Sequence, residues 1–158
     1  MKQSIKKGLG FGITSGVITT LGAIVGLNSS IGSSLAVIGG IVVIAIADSM
    51  SDALGMHISE ETVRKKCDRF VWESAFSTLF FKFIFALSFI IPFLLFDLTT
   101  AIYVSMAWGL SILIIFSIYL AKQEKIKPYK IVSEHLAIAI AVIILTNYVG
   151  KLVASIFS

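Results

Sequence analysis

Two carboxylates, Asp48 and Asp52, stand four residues apart inside the run Ala45-Ile46-Ala47-Asp48-Ser49-Met50-Ser51-Asp52-Ala53-Leu54-Gly55-Met56. On a helix, positions 48, 52 and 56 lie one above another on a single face, so Met56 joins the two acids. A charge close to hydrocarbon costs about 3 kcal/mol on insertion scales, so such side chains face a partner helix or a wet path. Carboxylates are hard ligands for divalent cations and a thioether is a softer one, so the mixed set suits first-row metal ions. Ser51, Ser15, Thr19 and Asn28 could add neutral oxygens. Metal ions and protons compete for the same carboxylate oxygens, which is the physical basis of antiport. The plainer alternative is that the aspartates only hydrogen-bond neighbouring helices.

The rest of the chain must house this face. Of 158 residues, 57% are hydrophobic and 14% charged, and the mean hydropathy is +0.97. Soluble domains carry about 25% charged residues, so the composition implies a polytopic membrane protein. Five apolar windows are long enough to cross a core about 30 Å thick, which takes about 20 helical residues. They run approximately over 5–27, 34–56, 72–96, 100–121 and 133–157. With no long repeat or low-complexity linker, the expectation is one all-α domain of five transmembrane helices over residues 1–158.

Eleven of the thirteen Lys and Arg fall on one side of this arrangement. They are Lys2, Lys6 and Lys7 at the N-terminus, Arg64, Lys65, Lys66 and Arg69 between the second and third windows, and four lysines over 122–130. The positive-inside rule makes that side cytoplasmic, with the N-terminus inside and the C-terminus outside. The same assignment explains the net charge of +4 without nucleic acid. The basic N-terminus precedes a long, Gly-rich helix, which is expected to be retained rather than cleaved as a signal. Tyr119 and Tyr129 suit the cytoplasmic interface and Tyr103 the outer one.

Ten of the twelve glycines lie within the first 55 residues, with Gly8, Gly12 and Gly16 at four-residue spacing. Small residues so spaced let backbones approach closely, which suggests that helices one and two form the packed inner pair. The third window is bulky, with Phe76, Phe80, Phe81, Phe83, Phe85 and Phe89, and reads as a lipid-facing, peripheral helix kinked by Pro92. Lys82 lies inside it and either snorkels or pairs with a carboxylate. Asn147 in the last helix reads as an interhelical hydrogen-bonding residue.

No catalytic signature is present: there is no His-Glu-x-x-His, no Gly-x-Ser-x-Gly and no phosphate loop. The reading is therefore not an enzyme, with no permanently bound cofactor. A single cysteine, Cys67, leaves no multi-cysteine zinc site. His57 and His135 read as interfacial polar residues. His57, Glu60 and Glu61 stand where a cation would come in from the cytoplasm, although a solvated turn accounts for these acids more simply.

Taken in order, the chain resembles the vacuolar iron transporter family. Gly12-Ile13-Thr14-Ser15-Gly16-Val17-Ile18-Thr19-Thr20 is similar to that family's first helix, which usually reads Gly-x-Asn-Asp-Gly-Leu/Ile-Val-Thr-Thr. The Asp48 stretch resembles its second helix, Ala-Asp-Ala-x-Ser-Met-Ala-x-Gly-Glu-Tyr-x-Ser. Ile91-Pro92-Phe93-Leu94-Leu95-Phe96 with Thr99-Thr100-Ala101 resembles the corner between its third and fourth helices. Lys127-Pro128 and Thr146-Asn147-Tyr148-Val149-Gly150-Lys151 are similar to its last helix and the approach to it.

The resemblance implies a five-helix protomer that forms a homodimer, with an ion path at the two-fold axis lined by helices one and two. It also implies proton-coupled export of Fe2+ or Manganese as Mn2+ from the cytoplasm. The family's first-helix aspartate falls on Ser15, its Ser-Met on Ser51-Asp52 and its Gly-Glu on Gly55-Met56. Asp48 and Ser51 match, while Ser15, Asp52 and Met56 occupy functional positions with changed chemistry. The family's glutamate-rich insert after helix two is missing. The expected metal ligands are thus Asp48, Asp52, Met56, Ser51 and Ser15, in a multi-pass protein of the cell membrane rather than an organelle. The alternatives are a non-transporting membrane interaction protein of the same fold and a transporter of another solute.

Overall fold

The computed structural model describes residues 2–63 and 68–157. Arg64, Lys65, Lys66 and Cys67, which the sequence reading places in the basic connection, lie outside the described residues. The described chain is all helical, and five of its segments are long and apolar enough to cross a membrane. Helix α1 spans Gln3–Ile31, α2 Ser34–Val63, α3 Asp68–Ser88, α4 Ile90–Leu95, α5 Leu98–Glu124 and α6 Pro128–Phe157.

The helices outrun the apolar windows, notably at the ends of α1 and α2 and the start of α6. Hydropathy stops at the edge of the hydrocarbon, but backbone hydrogen bonding continues through the headgroup zone. At 1.5 Å per residue a 30-residue helix is about 45 Å long, against a core of about 30 Å. The last turns of α2 therefore carry Glu60 and Glu61 on a helix, not in a solvated turn. Pro128 opens α6 as its first helical residue, where a missing N–H costs nothing.

Local chemistry sets the breaks. Gly32 ends α1 in the left-handed conformation, at φ 64°, and its N–H bonds the Leu27 carbonyl. The third apolar window, 72–96, is two helices. Pro92 has no N–H for the Ser88 carbonyl, and the backbone breaks at Phe89 between α3 and α4. Asp97 caps α5, accepting from the Thr100 N–H at 3.2 Å. The Thr100 hydroxyl and amide beside Asp97 hold its carboxyl below the usual aspartate value.

Packing corrects the expected inner pair. Helix α1 is central and makes its most extensive contacts with α3 and then α6, ahead of α2. A methyl group at Gly8 would lie 2.5 Å from the Ser74 carbonyl oxygen, and one at Gly12 2.8 Å from that of Thr78. At Gly16 it would meet Cγ of Lys82 at 3.1 Å. The glycine stripe is therefore the seat of α3, not of α2. Helix α3 is not peripheral: it turns Ser74, Ala75, Thr78, Lys82 and Ala86 inward and leaves Phe76 and Phe80 outside. The phenylalanines dominate the composition, but the small and polar residues between them make the contact. Gly22 and Gly26 face Val142 and Thr146 of α6, and Ser29 donates to Asn147 Oδ1 at 2.6 Å, the interhelical bond expected of Asn147.

Gly12→Ala is expected to destabilise the bundle by about 1–3 kcal/mol through overpacking, whereas Gly39→Ala, where an added methyl meets nothing within 4 Å, is neutral or slightly stabilising. Thermal unfolding in detergent distinguishes them. The capping contribution of Asp97 is present above the unfolded aspartate pKa and is lost as pH falls through the lowered folded value. Exchange of the Thr100 amide is therefore expected to stay slow to lower pH than an unperturbed aspartate would allow.

Candidate functional site

Three helices converge on one buried cation. Asp48 is the fifteenth residue of α2, Lys82 the fifteenth of α3 and Ser15 the thirteenth of α1, so each stands near the middle of its segment. Asp48 and Asp52 share a face of α2 because they are one turn apart. The close approach of α1 and α3 over Gly12 and Gly16 carries the Lys82 stem past α1 toward that face.

The Lys82 ammonium donates to Asp52 Oδ2 in a very short contact and to Ser15 Oγ at 2.9 Å. Asp48 Oδ2 lies 2.5 Å away as an ion pair, off the direction of a well-aligned hydrogen bond. Ser15 in turn donates to Asp52 Oδ2 at 2.7 Å, closing a ring through α1, α2 and α3. Lys82 has no exposed side-chain surface, while Asp48 and Asp52 keep 32% and 21% of theirs. The cluster is sealed on the lysine side and open on the carboxylate side. Of the two alternatives for Lys82, pairing holds and snorkelling does not.

The other expected ligands are spread along the same surface. Ser51 is exposed and Met56 half-buried, one turn beyond Asp52 toward the end of α2. Thr19 back-bonds to the Ser15 carbonyl at 2.9 Å, and Asn28 borders a separate cavity between α1, α5 and α6. Gly55 is exposed with open space around it. Among the described residues no three His, Cys, Asp or Glu side chains converge, and one chain places two carboxylates at this position.

His57, Glu60 and Glu61 lie at the far end of α2, where the first two hold helices together and Glu61 is exposed. Glu60 is buried and pairs with Lys7 at 2.7 Å. The His57 ring packs on Trp72 with centroids 4.5 Å apart, and its Nε2 is 3.8 Å from Glu61. Sequence reasoning missed Glu73, which accepts from Lys2 Nζ at 2.8 Å, Ser4 Oγ at 2.7 Å and Arg69 Nε at 2.8 Å. The Arg69/Glu73 spacing of four was the available signal; the bonds to α1 had none.

Comparison of the chain with known families, with curated proteins and with solved structures finds no match.

Removing one partner of a buried ion pair leaves an uncompensated charge, at a cost of about 3–5 kcal/mol. Lys82→Met is expected to lower the unfolding temperature sharply. The triple variant Lys82→Met with Asp48→Asn and Asp52→Asn should recover most of the loss, measured by thermal unfolding in detergent.

Proposed function

We propose that this protein is a proton-coupled exporter of a divalent transition metal, Fe2+ or Mn2+, similar in plan to the vacuolar iron transporters. It works as a homodimer in the cell membrane with its N-terminus in the cytoplasm. The observation that carries the reading is the Lys82 ammonium held by Asp48, Asp52 and Ser15, because these oxygens already form a cation site at mid-membrane depth.

Charge balance gives the mechanism its form. Two carboxylates and one ammonium leave each cluster with one net negative charge. Two clusters facing each other across a two-fold axis carry two, which one dication neutralises. Partly open carboxylates cannot be left against lipid at low cost. The exposed small residues Ala47, Ser51, Gly55 and Ser59, at four-residue spacing beside them, suit close approach of a second copy. Met56 adds a softer donor toward the cytoplasmic end. When the ion leaves on the far side, one proton on each cluster restores neutrality, so the exchange is one M2+ for two H+ and moves no net charge.

A single cluster also balances one monovalent cation, which favours a second reading, a transporter of another solute. The tight Lys82 pairing supports a third, a non-transporting membrane interaction protein whose acids only fasten α2 to α3.

Uptake of Mn2+ into proteoliposomes containing a pH-sensitive dye tests the proposal. Wild type should take up Mn2+ with opposite proton movement, and Asp48→Asn and Asp52→Asn should each slow it at least about tenfold, the equivalent of 1.4 kcal/mol. Normal transport by both variants removes the site assignment. Sodium flux without Mn2+ flux supports the second reading, and no Mn2+ binding at millimolar concentration the third.

A further inference from the structure

A second charged site lies outside the aspartate cluster, at the end of the bundle where the start of α1 meets the end of α5 and the start of α6. There an open cavity of about 370 Å3 is lined by polar groups, among them Lys6, Tyr119, Gln123 and His135, and by the apolar side chains of Leu9 and Phe11. The Lys6 ammonium donates to the neutral Gln123 carboxamide oxygen at 2.8 Å. No ion pair joins Lys6 to a carboxylate among the described residues, in contrast to Lys2 and Lys7, which pair with Glu73 and Glu60. The His135 ring is held in place by a 2.8 Å bond between Nδ1 and Ser117 Oγ.

We propose that this cavity binds the phosphate-bearing headgroup of an anionic phospholipid. Three observations carry the assignment. First, the solvent-accessible Lys6 charge is matched among the described residues only by a neutral amide, so a phosphate oxygen would supply the counter-charge it lacks. Second, the cavity is amphipathic: Lys6, Gln123 and Tyr119 can donate to a phosphate, while Leu9 and Phe11 offer an apolar wall to the glycerol and upper acyl region. Third, the exposed lysines 122, 125, 127 and 130 at the end of α5 and the start of α6 make this end of the bundle strongly positive. Glu124 on the rim is the one opposing charge lining the cavity. Basic pockets between transmembrane helices at the membrane surface are suited to such headgroups, each lysine contributing on the order of 1 kcal/mol. A lipid seated here would bridge α1, which carries Ser15, to α5 and α6. The inference does not depend on what the aspartate cluster transports.

The test uses the full chain, delipidated in a neutral detergent, and follows its unfolding temperature during titration with phosphatidylglycerol, phosphatidylcholine or inorganic phosphate. Phosphatidylglycerol is expected to raise the unfolding temperature of wild type and of Lys127→Gln, which removes an exposed charge outside the cavity. Lys6→Gln should weaken that response about fivefold, the equivalent of 1 kcal/mol. Phosphatidylcholine should give a markedly smaller effect, and inorganic phosphate should not reproduce it. Equal responses from Lys6→Gln and Lys127→Gln would overturn the site in favour of diffuse charge. Stabilisation by inorganic phosphate with none from phosphatidylglycerol would overturn the lipid as its occupant. Should Lys6→Gln fold poorly, Tyr119→Phe serves in its place, with the same weakened response expected and an unchanged response counting against the site.

Discussion

A fully buried ammonium held by two carboxylates of one helix and a hydroxyl of another fixes the arrangement of the first three spans. Hydrocarbon offers neither charge an alternative partner, so α1, α2 and α3 must bring Ser15, Asp52, Asp48 and Lys82 to one depth and one side. The glycine stripe of α1 follows from this requirement. Without room at Gly12 and Gly16, α3 could not come close enough for the lysine stem to pass. Packing and electrostatics thus specify the same geometry, and neither would be sufficient alone in a solvent that supplies no hydrophobic drive between helices.

The ends of the bundle repeat the principle in a wetter setting. Lys2, Ser4 and Arg69 converge on Glu73, and Lys7 pairs with Glu60, so the start of α1 is tied to both α2 and α3. Near water these contacts contribute less than the central one. They close the end of the bundle between α1, α2 and α3. Beside Asp52, by contrast, Ser51 and Gly55 leave the α2 face exposed.

Much of this was legible in the chain. Five spans follow from hydropathy and from the alternation of basic and uncharged connections, and the Asp48/Asp52 face follows from spacing. The break at Phe89 follows from Pro92. What could not be read was partnership. Gly8, Gly12 and Gly16 announce a close approach but do not say to which helix, and the aromatic bulk of the third span hid its small polar face. Lys82 had two physically reasonable fates, and only the positions of α1 and α2 decide between them. The acids at 60 and 61 looked solvated because hydropathy ends there, yet helix α2 continues and buries Glu60. Contacts between helices depend on rotation about each axis, which a periodic pattern constrains only when one face is clearly distinct.

In the proposed dimer two such clusters, each formally carrying one net negative charge, together hold one dication. Electron paramagnetic resonance titration of the purified protein with Mn2+, at a chain concentration above the dissociation constant, counts bound ions directly. Saturation at one Mn2+ for every two chains is expected. Saturation at one or more per chain, or no bound signal at all, would contradict it.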